Sequence, residues 1–446
     1  MRSGGTADVP GLAAAFPVGA SVTIAQLTED PHPVLARLRA SEPVSWLPAL
    51  GGWLVTRRDL VEQVLRDPDG FTVDDPRFTT ARVVGPSMLS LDGPEHRRHR
   101  DPFAHALRRG DVSSGLAAFT DGEAGRLVAG LADSAVAGAG RAELRRGLAG
   151  PLAVAVMKEV LGLADTDPAV LLTWYDAIVA GVSALTAANA PADGGSVVSV
   201  VSRPGSSDVQ AAASAEVPEA AVGQVPAAAV GQVPKAAVAA FAELRASLEA
   251  AIQRPGASSL LAVAAQTAGL AVGEVVSNAA VMLFGGIETT EGMICNAVRH
   301  LLTSPEQARD LDADRSLLDG AVDESLRLEP AAVVVDRYAT ASVRLGEADI
   351  PGGDLVVVSL AGANRDPAVF GEPDRFDLRR SNARQNLGFA LGPHFCVGAQ
   401  LARMETRAAI TALLDRLPGL RLDPDRLAAP VGLVFRKPPA LHVLWG

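Results

Sequence analysis

The sequence contains very little cysteine and very little lysine for its length. Only Cys295 and Cys396 occur among 446 residues, so no framework of disulfide bonds can form, as is usual for proteins of the reducing cytoplasm. Arginine carries nearly all of the positive charge, because the only lysines are Lys158, Lys235 and Lys437. This bias fits recognition of carboxylates by arginine or a GC-rich genome, and the second explanation is favoured.

An excess of positive charge is also missing. The chain has 51 acidic and 40 basic side chains, and its formal net charge is −11. A general nucleic-acid-binding protein usually carries a basic patch or stripe. We therefore expect no nucleic-acid partner.

Long apolar runs are absent as well. The uncharged stretch 9–28 follows Asp8 and is interrupted by Pro10 and Pro17, so it does not predict a signal peptide. The second uncharged stretch, 255–273, is rich in Ala, Gly, Ser and Gln and is too polar to span a bilayer. We expect a cytoplasmic protein without a membrane anchor.

The hydrophobic periodicity predicts a mainly α protein with small β-sheets. Residues 44–47 and 52–56 flank a Pro/Gly turn and predict a β-hairpin, and the turn at 350–354 lies among further predicted strands between Val333 and Leu360. Three-to-four spacing of apolar residues predicts helices elsewhere. The predicted helices span 58–65, 94–107, 152–161, 168–185, 272–303, 317–328 and 399–417.

The chain is expected to form one large domain. We predict a short flexible leader over residues 1–20 and a single domain over 21–446. Within it, residues 187–236 have few large side chains and contain the repeat Ala221–Pro226 and Ala229–Pro234. Such a low-complexity insertion is either a lid over a pocket or a tolerated expansion, and its composition favours the expansion.

The residues around Cys396 form the most informative segment. Residues 386–398 read NLGFALGPHFCVG, and an amphipathic helix follows at once. Gly388, Gly392 and Gly398 permit sharp backbone turns, and the N-terminus of a helix favours a thiolate. From this local chemistry alone, Cys396 can be a nucleophile, a redox centre or a metal ligand.

The cysteine segment resembles the haem-binding signature of the cytochrome P450 family. The matching residues are Phe389, Gly392, His394, Cys396 and Gly398. The resemblance implies haem b as cofactor, with Cys396 as the axial thiolate ligand of the iron and with Phe389 and His394 beside the haem.

One residue of this segment departs from the family pattern. Ala390 stands where the family usually has glycine. We expect its methyl group to be accommodated with a slight shift of the loop.

A second segment resembles the family's Glu-x-x-Arg element. Glu324 and Arg327 are three residues apart and therefore neighbours on one helix face. In the family this pair binds an arginine of a later Pro-x-Arg-Phe segment, which here would be Arg375. The resemblance implies a structural role for all three residues.

The predicted helix 272–303 contains two adjacent glycines, Gly285 and Gly286. Each costs roughly 1 kcal/mol relative to alanine within a helix, so either a ligand or another helix approaches the backbone closely there. We also expect the Thr289 hydroxyl to bond the Gly285 carbonyl. By resemblance this is the family's oxygen-binding groove, in which Glu288 and Thr289 are the catalytic acid–alcohol pair that delivers protons to dioxygen as it is reduced.

Two further segments resemble the elements that bind the haem propionates. His96 and Arg100 are four residues apart, on one face of a predicted helix, and such a pair is often only solvated surface. The resemblance to the family's His-x-x-x-Arg element implies that His96 and Arg100 both bind propionates. Arg337 resembles a further propionate-binding arginine of the family. His394 is expected to assist them.

The resemblance implies the cytochrome P450 fold and a haem-thiolate monooxygenase of secondary metabolism. Such an enzyme inserts one atom of O₂ into a small organic substrate. No flavin or dinucleotide-binding segment is recognised, so the implied electron donors are a separate ferredoxin and its reductase. Apolar residues dominate the segments 83–89, 281–286, 330–335 and 431–435, where the family binds substrate, so we expect a hydrophobic one.

Two other functions compete with this interpretation. A haem-thiolate peroxygenase would use peroxide and usually lacks the acid–alcohol pair, so Glu288 and Thr289 argue against it. A non-catalytic haem protein that binds or senses a ligand would use no oxygen in response to substrate.

Overall fold

The computed structural model describes residues 9–108, 110–133, 140–188, 232–254, 259–266 and 269–446. Most of these residues are helical, as predicted. The α-helices are α1 Val9–Ala15, α2 Pro17–Ala20, α3 Ile24–Glu29, α4 His32–Ser41, α5 Arg58–Arg66, α6 Thr79–Val84, α7 Gly93–Arg108, α8 Gly110–Asp133, α9 Gly150–Leu161, α10 Pro168–Ala188, α11 Lys235–Gln253, α12 Leu260–Gln266, α13 Val272–Thr303, α14 Pro305–Ala313, α15 Leu318–Leu328, α16 Leu360–Asn364 and α17 Ala399–Arg416.

Within the described part of the chain, the strands form three small sheets. They are β1 Val44–Leu47, β2 Gly52–Val55, β3 Phe71–Thr72, β4 Gly140–Glu143, β5 Val334–Ala339, β6 Val343–Leu345, β7 Ala348–Ile350, β8 Leu355–Ser359, β9 Arg421–Leu422 and β10 His442–Trp445. The largest sheet has the order β1-β2-β8-β5-β3, the second has β4-β10-β9, and the third pairs β6 with β7. Among the strands of the described residues, only β2 and β8 pair in parallel.

The strongest sequence signals are confirmed. The hairpin forms with Val44 opposite Val55, and α13 covers residues 272–303 as predicted. The helix ends before Ser304, because Pro305 disfavours helical backbone in the residue that precedes it. Two long helices, α8 and α11, were not predicted. Both contain many small side chains, and they are stabilised by packing on α17 and α10, respectively.

Helix α13 is the centre of the molecule. Most of its side chains are buried, and it packs against α9, α15 and α17. Because helix α17 begins immediately after the cysteine segment, the packing of α17 on α13 fixes that segment relative to the central helix.

The two chain segments with unusual composition fall only partly within the described residues. Most of the predicted insertion at 187–236 lies outside them. In the predicted leader, helices α1 and α2 are described, and the Phe16 ring meets the Trp53 ring edge-on at 5.2 Å. The domain boundaries proposed from the sequence stay a prediction.

Among the described residues, none of the helices has both the length and the apolar character of a membrane span.

Candidate functional site

The cysteine segment is held in one shape by backbone hydrogen bonds. The Cys396 amide donates to the Phe389 carbonyl at 3.0 Å, and α17 begins three residues after Cys396. The residue is accessible to solvent, but protein atoms crowd around the sulfur. This burial raises the pKa of the Cys396 thiol, while the Gly398 backbone N–H and the guanidinium groups of Arg100 and Arg403 act in the opposite direction.

Two residues of this segment have left-handed backbone. Gly392 has φ +72°, and a side chain there would clash with the Leu65 carbonyl, so only glycine fits. Ala390, where the family usually has glycine, has φ +58°. The loop therefore keeps the glycine conformation and accepts the backbone strain of an alanine in it.

The cysteine segment is also tied to helix α15. The Arg403 guanidinium lies 4.6 Å from the centre of the Phe389 ring and donates from Nε to Oδ1 of buried Asp323 at 2.9 Å. Asp323 precedes Glu324 in α15, so one helix supports both the cysteine segment and the structural cluster. Arg403 was not predicted from the sequence. Its position one turn after the start of α17 indicates that its side chain lies near the cysteine segment.

The two glycines of α13 have different roles. A side chain on Gly286 would clash with Met157 of α9, whereas one on Gly285 would meet no atom within 4 Å. Gly286 thus serves a helix crossing, and Gly285 opens onto free space within an otherwise buried helix. The Thr289 hydroxyl donates to the Gly285 carbonyl at 2.5 Å, as predicted, and so lies beside this opening.

Glu288 is turned away from the opening. Its carboxylate is buried and accepts from Lys437 Nζ at 2.6 Å and from the Tyr175 hydroxyl at 3.0 Å. Glu288 and Thr289 are therefore neighbours in the chain, but their side chains have different partners. The contacts of Lys437 and Tyr175 with Glu288 were not predicted. Lys437 could have been singled out from the sequence because lysine is so rare in it.

Of the four basic side chains predicted to hold the cofactor, His96, His394 and Arg337 lie near Asp92, and Arg100 lies near the two histidines. His394 Nε2 is 2.8 Å from Asp92 Oδ1, and the His96 and His394 rings are 4.3 Å apart. Although burial opposes it, hydrogen bonds from His394 and Thr72 lower the pKa of Asp92 to about 2. Asp92 was not singled out from the sequence, and its contact with His394 shows that this carboxylate positions the histidine ring.

The remaining polar groups of this cluster are incompletely bonded by protein. His96 Nε2 is buried without a hydrogen-bond partner, and burial together with His394 lowers the pKa of His96 to about 4. Arg337 is buried and donates to the carbonyl of its neighbour Asp336, while Arg100 donates to the Phe395 carbonyl at 2.5 Å.

The donor set fits the propionates of a haem. Buried donors in native proteins are nearly always hydrogen-bonded, so the unpartnered His96 Nε2 fits an acceptor from outside the chain, and the buried Arg337 guanidinium has further N–H groups to donate to it. Two carboxylates near Cys396 would satisfy both residues. The free space beside Gly285 leaves room for a flat group against α13.

The predicted structural triad is correct in two members and wrong in the third. Arg327 donates to Glu324 at 2.7 and 2.9 Å, and both side chains are fully buried. The third side chain is Arg380, whose Nε donates to Glu324 Oε1 at 2.8 Å. Arg375 instead contributes its backbone carbonyl and turns its side chain to exposed Glu372, because the chain bends between the two arginines.

One of the four segments predicted to contact substrate, 281–286, belongs to α13. The other three, 83–89, 330–335 and 431–435, lie beside this helix. The Met88 amide donates to Asn278 at 2.7 Å, and the Phe435 ring meets the Phe284 ring edge-on at 5.6 Å. Ala332 forms a β-bridge with Phe435, which joins the remaining segment. The side chains brought together here are mainly apolar.

Two features together define a haem-thiolate oxygenase. One is the free space beside Gly285 in the central helix, and the other is a cysteine in a shaped loop before a second helix. The Cytochrome P450 family model matches residues 311–423. The chain is 33% identical over 428 residues to the cytochrome P450 monooxygenase PikC of Streptomyces venezuelae, covering 93% of this chain and 91% of that protein. It therefore belongs to the cytochrome P450 family.

Other comparisons agree. Cytochrome P450 107B1 of Saccharopolyspora erythraea is 32% identical over 435 residues, with 92% of this chain and 93% of that protein covered. The solved structure of cytochrome P450 CYP109Q5 from Chondromyces apiculatus superimposes with a TM-score of 0.75 at 26% identity, covering 96% of this chain and 97% of that one.

Family membership confirms the central predictions. The fold is the mainly helical cytochrome P450 fold with small sheets. The protein is a monooxygenase that inserts one oxygen atom from O₂ into a small organic substrate with electrons from a redox partner. Its family binds haem b through a cysteine thiolate.

Proposed function

We propose that Cys396 supplies this thiolate and that the haem lies between its loop and the Gly285 opening of α13. The observation that carries the assignment is the contrast between the two cysteines. Cys396 is accessible and has a backbone N–H and two guanidinium groups acting on its sulfur. Cys295 is fully buried within the continuous helix α13, whereas Cys396 lies in a loop before a helix; burial raises the pKa of both thiols.

The remaining predicted cofactor residues then have distinct tasks. His96, Arg100 and Arg337 donate to the propionates, His394 is held toward them by Asp92, and Phe389 packs beside the sulfur. Bound haem supplies the activation of dioxygen and accepts the electrons.

Thr289 is proposed to hold the protons that dioxygen reduction consumes. Its hydroxyl lies beside the Gly285 opening and is fixed by one hydrogen bond to the helix. Glu288 is the proposed source of these protons. A positioned acid is typically worth 10²–10⁴-fold in rate.

The substrate is proposed to be hydrophobic. The support is the apolar wall formed by Phe284, Phe435 and the segment 83–89, with buried Val83, Val84 and Met88. The related vitamin D(3) 25-hydroxylase of Pseudonocardia autotrophica, 30% identical over 414 residues, has an apolar compound in its name. If the absorption spectrum of the haem-loaded protein shifts only when charged polar compounds are added, this proposal is wrong.

Ferredoxin and a ferredoxin reductase are the proposed electron donors, and the cytoplasm is the proposed location. The bacterial relatives support the first assignment. Both cysteines are free thiols, as expected in a reducing compartment. If a ferredoxin system fails to reduce the substrate-bound haem while dithionite succeeds, the donor assignment is wrong.

The thiolate assignment is tested by the carbon monoxide difference spectrum of the reduced protein. We expect the strongly red-shifted Soret band of a thiolate-ligated haem in the wild type and in Cys295→Ala. The band should disappear in Cys396→Ala. If Cys396→Ala keeps it, Cys396 is not the ligand.

The proton-delivery assignment is tested with Thr289→Ala, and Thr290→Ala is the matched control because its neighbouring side chain is buried. Thr289→Ala should divert electrons from product to hydrogen peroxide, while Thr290→Ala should not. A non-catalytic haem sensor would show no substrate-dependent oxygen uptake in any variant, and a peroxygenase would make product from peroxide equally well in both variants.

A further inference from the structure

A buried group of four charged side chains lies behind the Thr289 opening. Lys437 Nζ is 2.6 Å from Glu288 Oε1 and 3.1 Å from Glu291 Oε2. Arg145 bonds the other oxygen of Glu291 through Nε. All four side chains are at least nine-tenths buried, and two positive charges balance two negative ones.

Lys437 therefore has two acidic partners on one face of α13. Glu288 and Glu291 are three residues apart, so their side chains are neighbours on the helix surface. A buried ammonium that loses its only partner is strongly destabilising. Because Glu291 remains within ion-pair distance, Lys437 can release Glu288 without becoming an unpaired buried charge.

Glu291 is itself held in place by a second cation. Arg145 also donates from NH1 to the Pro439 carbonyl at 2.9 Å, two residues beyond Lys437. The pair Arg145–Glu291 is thus anchored to the same C-terminal segment as Lys437. The Glu288 carboxylate, by contrast, is held by Lys437 and the neutral Tyr175 hydroxyl and by no second cation among the described residues, so it is the member that can move.

We propose that Glu291 and Lys437 are positioning residues that let Glu288 alternate between the buried ion pair and the Thr289 opening. This inference rests on the proposed role of Glu288 and Thr289. In one position Lys437 shares its charge between both acids. In the other position Lys437 stays with Glu291 while Glu288 turns toward the opening.

The proton balance of this cycle is simple. In the open position the Glu288 carboxylate takes a proton that water relays from the bulk solvent and passes it to the Thr289 hydroxyl, which releases its own proton into the opening as it accepts this one. Glu288 then returns as a carboxylate to Lys437. No electron or covalent bond other than the O–H bonds changes, and Glu291 and Lys437 keep their protons.

The first test measures turnover of the haem-loaded enzyme with its redox partner. Glu291→Gln removes the alternative charge and should hold Lys437 on Glu288, so we expect kcat to fall about tenfold, which corresponds to about 1.4 kcal/mol. KM should stay unchanged, since neither residue belongs to the apolar wall. Glu291→Asp, which keeps the charge, should restore most of kcat.

Combining variants separates a positioning role from a general loss of stability. Since Glu291 acts only through Glu288, the double variant Glu288→Gln/Glu291→Gln should be no slower than Glu288→Gln alone. Multiplication of the two effects would overturn the proposal, as would wild-type kcat in Glu291→Gln.

The matched control uses the next ion pair of the same segment. Arg436 Nε lies 2.9 Å from Glu329 Oε1, and both are buried. Glu329→Gln makes the same chemical change but does not touch Glu288. Any loss of kcat in Glu329→Gln should therefore multiply with the loss in Glu288→Gln; non-additivity here would mean that the kinetic test reports general disruption, and the proposal would fall.

The second test needs no turnover. Unfolding midpoints of the haem-loaded wild type, Lys437→Met, Glu288→Gln and the double variant form a double-mutant cycle. The midpoint of the double variant should fall by less than the sum of the two single losses. Additive losses would show that the ion pair is not formed; Lys437→Gln replaces Lys437→Met if the latter does not fold.

Failure of this inference is distinguishable from failure of the proposed function. If Thr289→Ala leaves the product formed per electron unchanged, the proton-delivery assignment itself is wrong. If Thr289→Ala wastes electrons as peroxide but Glu291→Gln behaves as wild type, only the role of Glu291 and Lys437 is refuted.

Discussion

Two of the buried arginines, Arg327 and Arg337, differ in how far the fold itself supplies hydrogen-bond partners for their charge. Arg327 donates to both Glu324 oxygens and to the carbonyls of Asn364, Pro373 and Arg375. Arg337 donates to the carbonyl of the residue before it. Since a buried guanidinium needs partners, the first is satisfied by the fold, whereas the second donates to one backbone carbonyl and is proposed to donate to a haem propionate.

The same difference extends to the surroundings of each arginine. Helix α15 and the segment 373–380 close over Glu324, which also accepts from Arg380 and from the Asp377 amide. Around Arg337, the ring of His96 keeps an unbonded nitrogen. A complete set of hydrogen bonds therefore distinguishes the structural cluster from the proposed cofactor site, where the set is incomplete.

The largest effect is expected from breaking the satisfied cluster. Arg327→Ala leaves Glu324 buried without its main cation, so the free energy of unfolding should fall by about 3–5 kcal/mol. Urea unfolding of the haem-loaded protein measures this. Arg375→Ala is the control and should change it by less than about 0.5 kcal/mol, because the Arg375 side chain is exposed and its carbonyl remains. Equal losses would restore Arg375 as the third member.

The incomplete cluster should respond in the opposite way. Arg337→Gln removes charge-assisted bonds worth about 1.5–3 kcal/mol to a propionate, so haem affinity should fall roughly 10- to 100-fold. The rate of haem transfer to an excess of a haem-binding acceptor measures the change. The haem-free protein should be no less stable than wild type, since a poorly bonded buried charge is removed. A large loss of stability without haem would contradict the comparison.

Glu405 provides a case between the two clusters. It is fully buried in α17, its Oε2 has no hydrogen-bond partner, and burial raises its pKa well above 4.5. A carboxyl group with a raised pKa in the folded state binds its proton more tightly than in the unfolded state. Its cost to stability is therefore absent below pH 4.5 and increases as pH rises toward the raised value.

Glu405→Gln should consequently stabilise the protein, by an amount that increases from pH 5 to pH 8. Thermal unfolding at several pH values measures this trend. Glu347→Gln, in the exposed turn between β6 and β7, should show no such trend. A constant difference between Glu405→Gln and wild type across this range would mean that Glu405 does not keep its proton.

The smallest effect concerns strain in the cysteine segment. Ala390 has φ +58°, so Ala390→Gly should raise the free energy of unfolding by about 1 kcal/mol. Ala412→Gly, within α17, should lower it by at least about 1 kcal/mol. A loss in both variants would mean that the methyl group of Ala390 makes a contact that outweighs its strain.

Much of the fold was predictable because its signals are local. The spacing of apolar residues gave α13 and the first hairpin, and Pro305 and Pro330 marked helix ends. Helices α8 and α11 could not be recognised in this way, since small side chains give a weak periodic signal and packing on other helices stabilises them. In the site, the sequence indicated Cys396 and the Thr289 hydrogen bond, both of which depend on neighbouring residues.

The sequence by itself determined the class of protein, because a shaped cysteine loop and a glycine pair within a helix depend on contiguous residues. Only the tertiary structure decided which charges pair. Arg380 rather than Arg375 completes the Glu324 cluster, and Lys437 rather than solvent holds Glu288. The physical reason is that a buried charge takes whichever partner the packed chain brings within about 3 Å, and chain folding, not sequence spacing, sets that distance.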